Sequence, residues 1–78
     1  MIKVAFGKAC RDYREKMKIS QEKFALLIGM DRTYYASVES GKRNISIQNI
    51  EKIADGLGIS LAELMDKVEN EKTLLENN

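Results

Sequence analysis

Residues 19–44 read ISQEKFALLIGMDRTYYASVESGKRN. Ser20 is a good N-cap, since its hydroxyl can accept from a free N–H of the first turn, and Gln21-Glu22-Lys23 supply that turn. Phe24, Ala25 and Ile28 then recur at helical spacing on one face. Gly29 marks the stop, because glycine takes the positive φ of a helix C-terminus at little cost. Asp31 caps a second helix that runs from Arg32 to about Ser40. Tyr35 and Val38 turn towards a core, which leaves Arg32, Thr33, Tyr34 and Ser37 outside. The pattern is two short helices joined by a tight turn, the second with a polar outer face.

The flanking sequence supplies three more helices. A stripe of Phe6, Ala9, Cys10, Tyr13 and Met17 places the first from Lys3 to Met17. Ser46 caps the fourth, whose buried face is expected to be Ile47, Ile50, Ile53, Ala54 and Leu57, with Gly58 ending it. Gly56 inside that helix costs about 1 kcal/mol against alanine, and close helix packing is the usual reason for such a residue. Ser60 and Glu63 form a capping-box pattern ahead of Leu61, Leu64, Met65 and Val68. The last ten residues, ENEKTLLENN, are polar and are expected to fray. Proline is absent, and no stretch alternates with period two for long enough to form a sheet. The fold class is therefore all-α, five helices in one domain spanning residues 1–78, with no repeat or linker.

Composition narrows the function. The chain has one cysteine and no histidine, which excludes a disulfide framework and a thiolate metal cluster. Cys10 lies in register with Phe6, Tyr13 and Met17 and reads as a small buried apolar residue. There is no glycine-rich phosphate loop and no paired-carboxylate site, so no catalytic residue, cofactor, metal or small-molecule ligand is expected. Charges break the opening MIKVAFGKACRDY, which excludes a signal peptide or membrane span and fits a cytoplasmic, nucleoid-associated protein. The net charge is only +1. Its distribution says more. Residues 1–44 hold ten Lys or Arg against five acids, and residues 45–78 hold three against seven. The basic half contains the two-helix unit, and the acidic half would face away from a polyanion.

A basic half and a polar helix start together point to double-stranded DNA. A helix entering the major groove by its N-terminus brings its first side chains nearest the bases. Arg32 can donate two hydrogen bonds to guanine O6 and N7, a contact worth about 1–3 kcal/mol of discrimination. Thr33 offers a hydroxyl or a methyl, and Ser37 lies one turn on. Tyr34 fits either a phosphate contact or surface packing. Gln21, at the start of the preceding helix, can bind a phosphate with that helix's free N–H groups. Lys42, Arg43 and Asn44 follow in a short loop that could lie along the DNA backbone, setting register without reading sequence. For Lys42 a plain solvated charge fits as well.

Residues 7–65 resemble the Cro/phage-repressor family of helix-turn-helix domains. The likeness rests on Arg11, Arg14, Ser20-Gln21-Glu22, Ala25, Gly29, the Val38-Glu39-x-Gly41 step and Gly58-Ile59-Ser60. It implies a five-helix DNA-binding fold, a phosphate contact at Gln21, and a structural ion pair between Arg14 and Glu39. Asp31-Arg32-Thr33-Tyr34, Glu39 and Arg43-Asn44 are further similar to the controller proteins of restriction–modification systems, which are small, stand-alone dimeric regulators. Three positions depart from the pattern: Ile45 stands where proline is common, Lys18 where glycine is common, and Tyr35 where an aliphatic residue is usual.

One such helix reads only a few base pairs, so two copies about a two-fold axis are expected, on half-sites about one helical turn apart. Leu61, Leu64, Met65 and Val68 are the expected dimer surface, although Leu61 and Leu64 could equally close the monomer core. An antitoxin or phage-type repressor would share these features. A protein-interaction module without DNA binding would have no reason to keep Arg32, Thr33 and Gln21 exposed.

Overall fold

In the computed structural model, which describes residues 1–77, side-chain caps start four of the five helices. α1 spans Ile2–Lys16, α2 Gln21–Leu27, α3 Arg32–Glu39, α4 Ile47–Leu57 and α5 Leu61–Glu76. Ser20 Oγ accepts from Lys23 N at 3.0 Å and Asp31 Oδ2 from Tyr34 N at 3.0 Å. Ser46 Oγ accepts from Asn49 N at 3.2 Å, and Ser60 Oγ from Glu63 N at 3.0 Å. Each cap satisfies an N–H that the helix cannot pair internally and is worth about 1 kcal/mol. Among the described residues there is no strand, so the fold is all-α.

The core is one cluster fed by all five helices. Its largest fully buried side chains include Tyr35, Phe24, Ile53, Leu64, Val38 and Val68, and Ala5, Phe6, Ala9 and Cys10 come from α1. The rings of Phe24 and Tyr35 lie 5.1 Å apart at 55°, which ties α2 to α3. Tyr35, unusually large for its position, fills that space as a fully buried ring. Burial pushes the Cys10 thiol up, so it stays protonated as a small core residue.

Two close approaches set how the helices cross. A Cβ on Gly56 would fall 2.2 Å from Ile28 Cγ2, so α4 needs glycine to pass α2 there. A Cβ on Gly7 would fall 2.5 Å from the carbonyl oxygens of Val38 and Glu39, so α1 lies directly against the end of the α3 backbone.

Lys18 follows α1 with φ at 60°, a left-handed conformation. That conformation costs a non-glycine residue about 1–2 kcal/mol, and glycine would return about 0.5–1 kcal/mol of it as unfolded-chain entropy. Lys18→Gly should therefore raise stability by about 0.5–1 kcal/mol in urea titration. Unchanged or lower stability would show that the turn carries no strain.

Two sequence expectations change. Ile47 does not join the buried face of α4: it is 77% exposed, and burial rises along the helix until Ile53 is fully enclosed. The first turn of α4 overhangs the core.

Leu64 and Val68 are not at a dimer surface. Both are buried in the monomer core, while Leu61 and Met65 stay 41% and 40% exposed.

The polar tail after Val68 is helical as far as Glu76. Glu71 is buried and accepts from Lys67 Nζ at 2.8 Å, and Lys67 also lies 3.2 Å from Asp12 of α1. Leu75 adds an apolar contact with the core. The expected fraying at residue 78 lies outside the described residues.

Candidate nucleic-acid interface

The outer face of α3 is set by a buried polar knot behind it. Arg14 of α1 donates from Nε to Glu39 Oε2 at 2.7 Å and from Nη2 to Glu39 Oε1 at 3.0 Å. Its remaining nitrogen, Nη1, donates to the Ile19 carbonyl at 2.7 Å. Gln21 Nε2 donates to Glu39 Oε1 at 2.8 Å, and Arg11 stands 3.6 Å from the same oxygen. One carboxylate at the end of α3 therefore joins α1 to the start of α2, and through Arg14 it is tied to the α1–α2 turn. Burial disfavours its charge, but hydrogen bonds from Arg14 and Gln21 outweigh that and hold its carboxyl below the usual range. The Tyr35 hydroxyl is buried beside Glu39 without a well-formed hydrogen bond, and burial pushes its ionisation far up.

This knot fixes the angle between α2 and α3. Tyr35 and Val38 face inward, so the opposite side of α3 is presented to solvent. Arg32 is 69% exposed in its side chain, with only a 3.7 Å contact to the equally exposed Glu22. Such a surface pair is worth less than about 1 kcal/mol and would yield readily to a ligand. Thr33 is exposed beside it.

Ser37 lies one turn further on. Its Oγ donates to the Tyr34 carbonyl at 2.6 Å and accepts from Arg43 Nε at 3.1 Å. The Arg43 guanidinium sits 4.6 Å from the centre of the Tyr34 ring. Tyr34 is half-buried, and its hydroxyl accepts from Asn49 Nδ2 of α4 at 3.1 Å. Lys42 and Asn44 are exposed in the connection after α3.

Arg32, Thr33, Ser37 and Arg43 thus meet on one side of α3. Gln21 is nearby but half-buried, with one amide hydrogen already committed to Glu39. Arg43, read from sequence as a loop residue that could lie along the DNA backbone, does lie in that loop and folds back over α3. Sequence reading missed Asn49. It sits at the third position of α4, where a residue is noticed for its backbone N–H, and only the packing of α4 against Tyr34 shows what its amide does.

The helix-turn-helix family matches residues 11–64 of this chain. The chain is 54% identical over 71 residues to the control protein C.MunI of Mycoplasma sp, which takes in 90% of this chain and 96% of that one. This chain belongs to the helix-turn-helix control proteins. It is also 46% identical to the restriction-modification controller protein C.AhdI from Aeromonas hydrophila, whose crystal structure superposes with a TM-score of 0.75 over 78% of this chain and 92% of that one. A third relative, the controller protein C.Esp1396I, is 25% identical and matches with a TM-score of 0.83 over 91% of this chain and 93% of that one. Its structure is that of a tetramer in complex with its natural 35-base-pair operator. The resemblance read from Asp31-Arg32-Thr33-Tyr34 thus extends along nearly the whole chain.

Proposed function

We propose that this chain is a sequence-specific regulator of transcription, a restriction–modification controller protein that binds palindromic operators in double-stranded DNA as a dimer. The observation that carries this is the exposed, polar start of α3, with Arg32 and Thr33 free of the core and Ser37 and Arg43 behind them on the same side. A side chain's fork at a helix N-terminus suits guanine in the major groove. The long likeness to control proteins, one of them known with its operator, points the same way.

Within this reading Arg32, Thr33 and Ser37 meet base edges. Gln21, Tyr34, Lys42, Arg43 and Asn44 hold the backbone on either side. Gln21 approaches phosphate with the amide hydrogen that Glu39 leaves free. The dimer surface retains Leu61 and Met65, the two members of the expected set that stay exposed. The protein acts as a regulator rather than an enzyme, in the cytoplasm at the nucleoid where its DNA would be. No described helix is long and apolar enough to cross a membrane.

Selection of binding sites from random duplexes tests the whole reading. The expected product is a palindrome with half-sites about one helical turn apart. Recovery of a single unpaired half-site would remove the dimer, and no enrichment at all would remove sequence-specific binding.

A further inference from the structure

We propose that Asn49 is a positioning residue for DNA binding: it holds the Tyr34 hydroxyl so that its proton points out of the protein, towards a phosphate oxygen at the edge of the groove. The inference rests on the DNA-binding reading above and adds a residue to it. An amide nitrogen only donates, so at the 3.1 Å contact with Asn49 Nδ2 the Tyr34 oxygen must accept. A phenol has one proton, and with an acceptor site filled from α4 that proton is turned away from α4. The neighbouring groups do not take it. Among the described residues the Tyr34 hydroxyl has no hydrogen bond besides that from Asn49, and the Arg43 guanidinium over its ring accepts nothing.

The ligand this arrangement suits is an anion. The Arg43 guanidinium lies 4.6 Å from the centre of the Tyr34 ring and donates to Ser37, so a positive charge stands over the ring that carries the hydroxyl. Two donors of this kind, one charged, match adjacent oxygens of a backbone phosphate. Tyr34 is half-buried between α3 and α4, set back from the exposed Arg32 and Thr33. That places the hydroxyl at the rim of the groove rather than at the base edges. Asn49 thereby couples the start of α4 to the DNA without touching it. Its own backbone N–H is held by Ser46, so the helix start survives loss of the side chain.

The test is a double-mutant cycle with Asn49→Ala, Tyr34→Phe and both together. The probes are the duplex that wild-type protein selects from a random pool and a scrambled duplex of equal length. Each single change should weaken binding about 3–10-fold on both duplexes, the effect of one hydrogen bond. The double variant should match Tyr34→Phe alone. The dependence of log Kd on log salt should keep its slope, since no cation is lost, whereas Arg43→Ala should reduce that slope by about 1. Losses that multiply in the double variant would show Asn49 acting apart from Tyr34 and would overturn the proposal. So would full affinity in Asn49→Ala, or losses confined to the selected duplex, which would make Tyr34 a base reader. A wild-type protein that selects no duplex would overturn this proposal and the functional reading together, so the two failures are distinguishable.

Discussion

Glu39→Ala should lose about 3–5 kcal/mol of folding stability, the cost of leaving a buried charge without its partner. Arg14 would lose both bonds to the carboxylate, keeping only the one to Ile19. Gln21 would lose its bond as well, and with it the link between the start of α2 and the end of α3. In a domain of this size each kcal/mol moves the melting temperature by about 4–8 °C, so a drop of more than about 12 °C is expected. The same carboxylate predicts an acid limb. Its folded value lies below the ordinary one, so in the interval between them the unfolded chain binds the extra proton. Its contribution is complete above the ordinary carboxylate value of about 4.3 and is lost as pH falls through the folded value. That share of the acid sensitivity should vanish in Glu39→Ala. Calorimetry across this range would decide it: an unchanged melting temperature at neutral pH would mean that the knot contributes little.

Gly7→Ala is the second large effect. The new methyl would meet the carbonyl oxygens of Val38 and Glu39 at 2.5 Å. These are backbone atoms at the end of α3, and they cannot turn aside as a side-chain tip could. α1 would have to move off α3, straining Arg14 against Glu39 in the process. Overpacking of this kind costs about 1–3 kcal/mol. Alanine is the better helix former by about 1 kcal/mol, so a loss is informative against that trend. A denaturant midpoint equal to or above wild type would show that the two helices have room to separate.

What the sequence disclosed follows from how local each signal is. The caps at Ser20, Asp31, Ser46 and Ser60 act on their own first turns, so they could be placed residue by residue. The inward set of α3 was likewise readable, because Tyr35 and Val38 define a face within eight residues. Relations between helices were harder to see. Periodicity puts Ile47 and Ile53 on one face of α4 but does not say where along that face the core ends. Leu64 and Val68 sit among apolar residues at helical spacing, and whether such a stripe meets its own chain or a second copy depends on the distant α1 and α4. Gly56 looked like a cost until Ile28 was found against it. The tail after Val68 looked too polar to dock, because Glu71 finds Lys8, and Lys67 finds Asp12, only once α5 lies along α1.

At the interface, the exposed residues were legible and their arrangement was not. The exposure of Arg32 and Thr33 could be read from their place at the start of a helix. The fold-back of Arg43 onto Tyr34 and the bond from Asn49 depend on a loop and a second helix. Lys18, which the sequence shows only as standing where glycine is common, holds a left-handed turn that the backbone alone reveals.

Sequence-specific binding by this protein turns on Arg32 reading a base from the major groove. The most direct measurement compares Arg32→Ala with wild type on a selected duplex and on random DNA under one salt condition. Arg32→Ala should lose about 1–3 kcal/mol of discrimination at one base pair per half-site, with a smaller loss on random DNA. Equal losses on both duplexes would reduce Arg32 to a phosphate contact and contradict the account.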